Sequence, residues 1–355
     1  MLQDPMLQVQ DSSRKAQRFS AFKAASSAAL LAIAIAVSGC ATPTTDGSAS
    51  VASASQTKPI TKGQKIVMAT HSFNVFVGPS RSRDAAVAPT PGPLAALAAE
   101  RGKAGHETLA VQMIGGSTPM QHWKQGDGDD AKNIAKAALL AGGDTVDVFT
   151  MSPNAKMPEE GIDLFGDFVI KHNRNARIMV QSSWSAYDGH GSTPSVGGTG
   201  GGDFKNDDRD KETLANVEKW LASEKAPEGY LPRLRAQLEG IDKRAGKQIT
   251  YVVPSSTAVY TLRKEVIAGH VPGVAKQSEL TRDPIGHPTQ PQANLVTYVW
   301  YAAMYRESPV GLQALIDKAD PNSAKREKML QQIAWNAVVG EPKSGVKGAP
   351  VKVGG

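Results

Sequence analysis

The chain alternates short apolar runs with longer amphipathic stretches. Five of the apolar runs are rich in β-branched residues, and they occupy residues 65–70, 107–114, 146–151, 176–181 and 248–253. Near-continuous apolar runs of this length are typical of strands that are buried on both faces of a parallel sheet. The pattern therefore predicts five parallel strands.

Helical patterns lie between and after these runs. The segments with apolar residues at helical spacing are 93–101, 130–141, 160–173, two helices within 212–244 that break near 227–229, and then 293–306, 309–318 and 322–338. Strands that alternate with helices predict right-handed βαβ units. The fold class is therefore α/β, with one open sheet covered by helices on both faces.

The first forty residues are expected to lie outside this fold. A basic stretch (Arg14, Lys15, Arg18 and Lys23) precedes an apolar run at 28–37, and Ser38-Gly39-Cys40 follows. This order is typical of a secretory signal, and the run is shorter than the roughly 20 residues that span a bilayer. The segment 37–40 resembles the bacterial lipobox, which implies that Cys40 is acylated and anchors an exported lipoprotein to a membrane of the cell envelope. The alternative is an ordinary secretory peptide with a chance cysteine.

These features divide the chain into four parts. We expect a signal peptide at 1–39, a flexible Ser/Thr/Ala/Gly tether at 40–60, one α/β domain at 61–340 and a disordered tail at 341–355. Cys40 is the single cysteine among 355 residues, so the domain has no disulfide and depends on a hydrophobic core.

Composition excludes several classes of function. The formal charge is only +6, and no basic run with interleaved aromatics indicates nucleic acid. The seven histidines form no His-Glu-x-x-His pattern, there is no cysteine cluster, and no phosphate-binding loop follows a strand. The sequence therefore predicts neither a metal nor another cofactor.

A polar, glycine-rich segment at 188–210 interrupts the alternation of strands and helices. Loops of this length are functional lids or disordered segments. We favour a mobile, solvated loop over an ordered lid.

Candidate chemistry follows the predicted strands. Ser72 follows the first strand, Gly115-Gly116 and His122-Trp123 follow the second, and Asn154 follows the third. An Asp283/His287 pair precedes the helix near 293. Ligands of open α/β sheets gather at the carboxyl ends of the strands, and acyl transfer requires a hydroxyl, an imidazole, a carboxylate and oxyanion donors.

At these residues the chain resembles the SGNH (GDSL-like) hydrolase superfamily. Its four blocks appear here in the family's order, Ser, Gly, Asn and then Asp-to-His, over about residues 65–312. The chain is especially similar to a branch whose blocks read His/Asn-Ser-Phe and Gly-Gly-x-Thr/Ser followed by His-Trp. The resemblance implies a three-layer α/β/α sandwich with a flavodoxin-like strand order.

The resemblance also implies a role for each residue. Ser72 would be the nucleophile, His287 its general base and Asp283 the partner that orients His287. The amides of Ser72 and Gly116 and the side chain of Asn154 would stabilise the oxyanion.

Two residue patterns depart from the family. His71 stands where many members have Asp, and it is expected not to reach the Ser72 hydroxyl, because neighbouring residues of an extended chain point to opposite faces. Three residues rather than two separate Asp283 from His287, which leaves Asp283 less secure than His287.

Each site residue also has a structural interpretation. Ser72 and Asn154 could cap helices or complete turns, and His287 could be an exposed loop residue. His122, Trp123 and Trp184 are possible substrate contacts, although packing is the safer interpretation for all three.

Together these patterns favour an envelope serine esterase that deacylates carbohydrate or other small esters. The alternative is a lipoprotein that keeps this fold as a glycan-binding or scaffolding module without turnover. Nothing in the sequence identifies the natural ester or the oligomeric state.

Overall fold

The computed structural model describes residues 57–80, 90–153, 157–185, 209–283 and 285–354. Within them lies one sheet of five strands, β1 (Lys65–Thr70), β2 (Glu107–Met113), β3 (Val148–Met151), β4 (Arg177–Gln181) and β5 (Thr250–Val253). The strands lie in the order β2-β1-β3-β4-β5, and every neighbouring pair is parallel. This is the flavodoxin-like order, and the predicted fold class is confirmed.

Both faces of the sheet are buried, which explains the near-continuous apolar runs. Successive side chains of a strand point to opposite faces. Ile66 and Met68 of β1 pack into one core, whereas Val67 and Ala69 pack into the other.

Helices cover the sheet on both sides, and this gives three layers. The helices of the layer that packs against Val67 are α2 (Pro119–Trp123), α3 (Ile134–Gly142), α4 (Glu160–His172) and α6 (Tyr230–Ala245). The opposite core is built with α1 (Pro93–Glu100), α5 (Leu214–Lys225), α7 (Ser255–Ile267), α8 (Gln290–Tyr305) and α9 (Ser323–Val339). α8 is almost wholly buried, so it forms the centre of its layer.

One helix prediction is wrong, and one long helix is missed. Residues 309–318 form turns rather than a helix, and their anchor is Leu312, which is fully buried and whose carbonyl accepts from the Gln331 amide. Conversely, the pattern does not predict α7. Its sequence is rich in Ser, Thr and Val, which have modest helix propensity, and burial of its apolar face overrides that preference.

The predicted disordered tail is also wrong for residues 341–354. The Lys343 carbonyl accepts from Val252 of the edge strand β5, Glu341 pairs with Arg235 at 2.6 Å, and the Trp335 indole donates to the Ala349 carbonyl. The tail thus covers a sheet edge whose backbone groups would otherwise lack partners.

The α/β domain begins a few residues before the expected boundary at residue 61. Thr57 donates its amide to the Lys347 carbonyl, and Ile60 donates to the Tyr305 carbonyl. The predicted signal peptide, Cys40 and the predicted tether up to residue 56 lie outside the described residues, as does most of the 188–210 segment. In the described ranges, no helix has the length and apolar character needed to cross a bilayer.

Candidate active site

Ser72 lies in the tight turn that ends β1. The amides of Asn74 and Val75 both donate to the His71 carbonyl at 3.0 Å, and a short 3₁₀ helix, Val75–Val77, follows. The turn reverses the chain at the carboxyl edge of the sheet. Ser72 is therefore half-buried at the rim, while Phe73 is buried in the core.

An imidazole and a carboxylate complete a hydrogen-bonded chain with Ser72. Nε2 of His287 lies 2.9 Å from Oγ of Ser72, and Nδ1 of His287 lies 2.7 Å from Oδ2 of Asp283. An ionised carboxylate only accepts, so the Nδ1 proton belongs to this bond and the Nε2 lone pair faces the hydroxyl. This is the geometry in which an imidazole can take a proton from a serine.

The three-residue separation of Asp283 and His287 is accommodated by a tight turn. Oδ1 of Asp283 accepts the backbone amides of Ile285, Gly286 and His287 at 3.1, 3.2 and 3.2 Å. Gly286 has φ +98°, a value that L side chains rarely adopt. The same carboxylate thus closes the turn with one oxygen and holds the imidazole with the other.

Neighbouring contacts fix this turn on the domain. Thr281 and Pro288 form an antiparallel bridge, and the Arg282 amide donates to the His287 carbonyl at 2.8 Å. The Trp184 indole donates to the Gly286 carbonyl at 3.0 Å. The imidazole is therefore held by its loop backbone as well as by Asp283.

The charge state of the site follows from burial and hydrogen bonding. Burial by itself would raise the pKa of Asp283, but the hydrogen bonds from the side chain and backbone of His287 lower that pKa below its ordinary value. Burial, with smaller contributions from the nearby His122 and His287, lowers the pKa of His71 to about 4. At neutral pH Asp283 is ionised and His71 is neutral.

The buried His71 side chain holds the turn that carries Ser72 through contacts with Phe73. Its Nδ1 accepts the backbone amide of Phe73 at 3.2 Å, and its ring meets the Phe73 ring edge-on at 5.7 Å. No hydrogen bond joins His71 to the Ser72 hydroxyl, as the sequence predicts.

A pocket of about 360 Å³ opens beside the serine. It is lined by His71, Ser72, Phe73, Gly115, Gly116, Trp184, Ile285 and His287. Most of this lining is apolar. The pocket lies at the carboxyl edge of the sheet, where the strand order predicts a ligand site.

Gly116 lies on the wall of this pocket. Its φ is +61°, in the left-handed region that favours glycine, and a Cβ there would meet no atom within 4 Å. Backbone conformation, rather than lack of space, is the reason for glycine at this position.

The structure places His122 and Trp123 outside the lining of this pocket. His122 is 2% exposed, its Nε2 lies 2.7 Å from the Ser117 hydroxyl, and burial lowers its pKa to about 4. Trp123 packs edge-on against Phe165 at 5.1 Å. Neither residue lines the pocket, because the His122 ring faces Ser117 and Gln112, and Trp123 packs into the core beside α4.

Trp184 lines the pocket as a packing residue. Its ring stacks on Phe73 at 4.6 Å with an interplanar angle of 4°. Phe73 in turn meets the His287 ring edge-on at 5.5 Å. Asn154 lies outside the described residues, so the structure does not test its role.

Sequence reasoning gave no site role to four residues that line the pocket, namely His71, Phe73, Gly115 and Ile285. Phe73 stands in the serine block and could have been inferred from its position there. Ile285 could not have been inferred, because a single apolar residue in a loop belongs to no periodic pattern and to no motif. Within the described residues, no group of three or more His, Cys, Asp or Glu side chains could hold a metal ion.

No family model matches the chain, and no curated protein matches it. The chain is similar to the structure of a DUF4886 family protein from Bacteroides uniformis, with 13% identity and a TM-score of 0.47 over 78% of this chain and 95% of that one. It is also similar to an extracellular lipase from Streptomyces rimosus, with 12% identity and a TM-score of 0.32 over 68% of this chain and 100% of the lipase. Likenesses this distant carry no argument about activity.

Proposed function

We propose that the protein is a serine esterase that hydrolyses small esters through an acyl-enzyme. The observation that carries the proposal is the chain of hydrogen bonds from Ser72 Oγ to His287 Nε2, at 2.9 Å, and from His287 Nδ1 to Asp283 Oδ2, at 2.7 Å. Residues 72 and 287 are 215 positions apart, so the fold itself must bring them together. The resemblance of the Ser, Gly and Asp-to-His blocks to SGNH hydrolases supports the same reaction.

Acylation begins at the Ser72 hydroxyl. Its Oγ forms a bond to the ester carbonyl carbon while its proton passes to Nε2 of His287, and the carbonyl oxygen becomes an oxyanion. The tetrahedral intermediate then breaks its bond to the alcohol oxygen, which takes the proton from His287. The alcohol leaves and the acyl group remains on Ser72.

Deacylation repeats these steps with water. His287 takes a proton from the water, whose oxygen bonds to the acyl carbon. The bond to Ser72 Oγ then breaks, and Ser72 recovers its proton from His287. A carboxylic acid is released, and the enzyme returns to its initial state.

The charges of the site suit these proton transfers. Asp283 is ionised at neutral pH and stabilises the imidazolium that forms on His287. His71 is neutral, because burial lowers its pKa to about 4, so it does not repel that imidazolium.

We assign oxyanion stabilisation to the backbone amides of Ser72 and Gly116. Both residues line the pocket that holds the nucleophile, and backbone N–H groups are the usual donors for such an oxygen. The resemblance adds the Asn154 side chain as a third donor.

The proposal predicts that removal of the Ser72 hydroxyl lowers the rate of ester hydrolysis strongly. The purified full-length chain should hydrolyse p-nitrophenyl acetate, and Ser72→Ala should lower kcat/KM on the order of 10⁴-fold, because alanine has no hydroxyl to form the acyl-enzyme. Release of p-nitrophenol, measured by absorbance, provides the rate. The matched control is Ser183→Ala, a half-buried serine after β4 that does not line the pocket.

Thermal unfolding of both variants separates loss of chemistry from loss of fold. Equal rates in Ser72→Ala and Ser183→Ala would overturn the mechanism. Glycan binding by a wild-type protein that lacks turnover would instead support the binding module.

A further inference from the structure

The pocket beside Ser72 has an apolar floor that is closed to solvent. Phe73 and Trp184 are 4% and 2% exposed, and their rings lie nearly parallel at 4.6 Å. These two rings bury one another, so they form a rigid base beneath the serine rather than a surface that adapts to a ligand.

Trp184 is not free to act as a platform for a sugar ring. Stacking on a sugar requires an open aromatic face, whereas this indole is only 2% exposed and Phe73 covers one of its faces. Its single donor, the indole N–H, is already bonded to the Gly286 carbonyl at 3.0 Å. The indole therefore contributes only apolar surface to the pocket.

Ile285 contributes the apolar wall that remains accessible. Ile285 is 37% exposed, whereas the two aromatic residues of the floor are 4% exposed or less. It belongs to the turn between Asp283 and His287, and its amide donates to Oδ1 of Asp283 at 3.1 Å. The turn that positions the imidazole thus also fixes an isoleucine at the mouth of the pocket.

From this arrangement we infer that the site selects esters with an apolar acyl chain, and that Ile285 determines this selectivity. The inference depends on the proposed esterase function. The acyl group stays bonded to Ser72 after the alcohol has left, so the cavity that adjoins Ser72 is its natural location. An acyl chain there would cover Ile285 and lie on Phe73 and Trp184.

The size of the effect follows from the apolar surface that the chain buries. Each buried methylene is worth about 0.8 kcal/mol, which corresponds to roughly fourfold in kcat/KM. A pocket of about 360 Å³ has room for several such groups. We expect kcat/KM to rise from the acetyl to the butyryl ester.

The experiment compares p-nitrophenyl acetate, butyrate, hexanoate and dodecanoate with the full-length wild type and Ile285→Asn. Asparagine is close in size but polar, so the gain per methylene should fall to less than about twofold in the variant. The matched control is Ile134→Asn, because Ile134 is an isoleucine that is 51% exposed and lies away from the pocket. This control should keep the wild-type chain-length profile.

The outcomes separate the two proposals. Turnover that depends on Ser72, with the same chain-length profile in wild type and Ile285→Asn, would overturn the role of Ile285 and leave the esterase intact. A flat or falling wild-type profile from acetyl to butyryl would overturn the apolar acyl pocket. Absence of turnover that depends on Ser72 would overturn both the esterase and the inference.

Discussion

Asp283→Asn isolates the orienting role of the carboxylate. In the wild type, Oδ1 accepts three backbone amides at 3.1 to 3.2 Å, and Oδ2 accepts Nδ1 of His287 at 2.7 Å. Asparagine can keep its oxygen at the Oδ1 position, so the turn should persist. Its NH₂ group then faces Nδ1, which must act as an acceptor. The imidazole proton consequently moves to Nε2, and the nitrogen facing Ser72 can no longer take a proton.

We expect Asp283→Asn to lower kcat strongly and to change KM and the free energy of unfolding only slightly. The wrong imidazole tautomer should lower kcat by about 10⁴-fold, which corresponds to roughly 5 kcal/mol in the activation free energy. KM should change by no more than about twofold, because Asp283 does not line the pocket. The free energy of unfolding should fall by about 1 kcal/mol, since a hydrogen bond to a charged group is replaced by a weaker neutral one at a partly exposed site.

Steady-state hydrolysis of p-nitrophenyl acetate at neutral pH measures kcat and KM, and urea unfolding measures stability. Asp210→Asn is the matched control, because Asp210 accepts the Ser278 amide and hydroxyl at 2.8 Å and lies outside the pocket. If Asp283→Asn retained more than about a tenth of the wild-type kcat, Asp283 would not be the residue that orients the base.

Two further predictions concern stability. Burial raises the pKa of Glu224 to about 8, despite a hydrogen bond from Ser256, so the folded chain keeps a proton that the unfolded chain loses above about pH 4.5. The stability that protonated Glu224 gives the folded chain is therefore fully present below pH 4.5, and it is lost as the pH rises through 8. Glu224→Gln should therefore raise the free energy of unfolding above pH 8 by up to about 4 kcal/mol, and urea unfolding with the same pH dependence as wild type would contradict this. Gly116→Ala should cost about 1–2 kcal/mol, because alanine is strained at φ +61° but meets no atom there, and urea unfolding that shows no loss would disprove the argument.

The sheet could be predicted because its signal is local. Strands buried on both faces need continuous apolar runs, and the predicted run at 65–70 coincides with β1 while the other four overlap β2 to β5. The errors lie where tertiary packing overrides local preference. α7 forms because burial outweighs its weak propensity, and the tail is ordered because the edge of β5 offers it partners.

The candidate site was predictable in its residue types but not in its geometry. Ser72 and His287 could be proposed because each stands in a recognisable block at the expected place along the chain. The extra residue between Asp283 and His287 left their contact open, since loop geometry does not follow from spacing. His122 and Trp123 follow β2, yet they are the last two residues of α2, where His122 is buried and Trp123 packs against Phe165.

The sequence by itself determined the strands, most of the helices and the residues with the chemistry for acyl transfer. These are properties of short segments, set by side-chain type and periodicity. Only the tertiary structure decided that the Ser72 hydroxyl, the His287 imidazole and the Asp283 carboxylate share one hydrogen-bonded chain, and that Ile285 stands at the mouth of their pocket. Distances between residues 215 positions apart depend on how the whole sheet and its loops pack, and no local pattern encodes them.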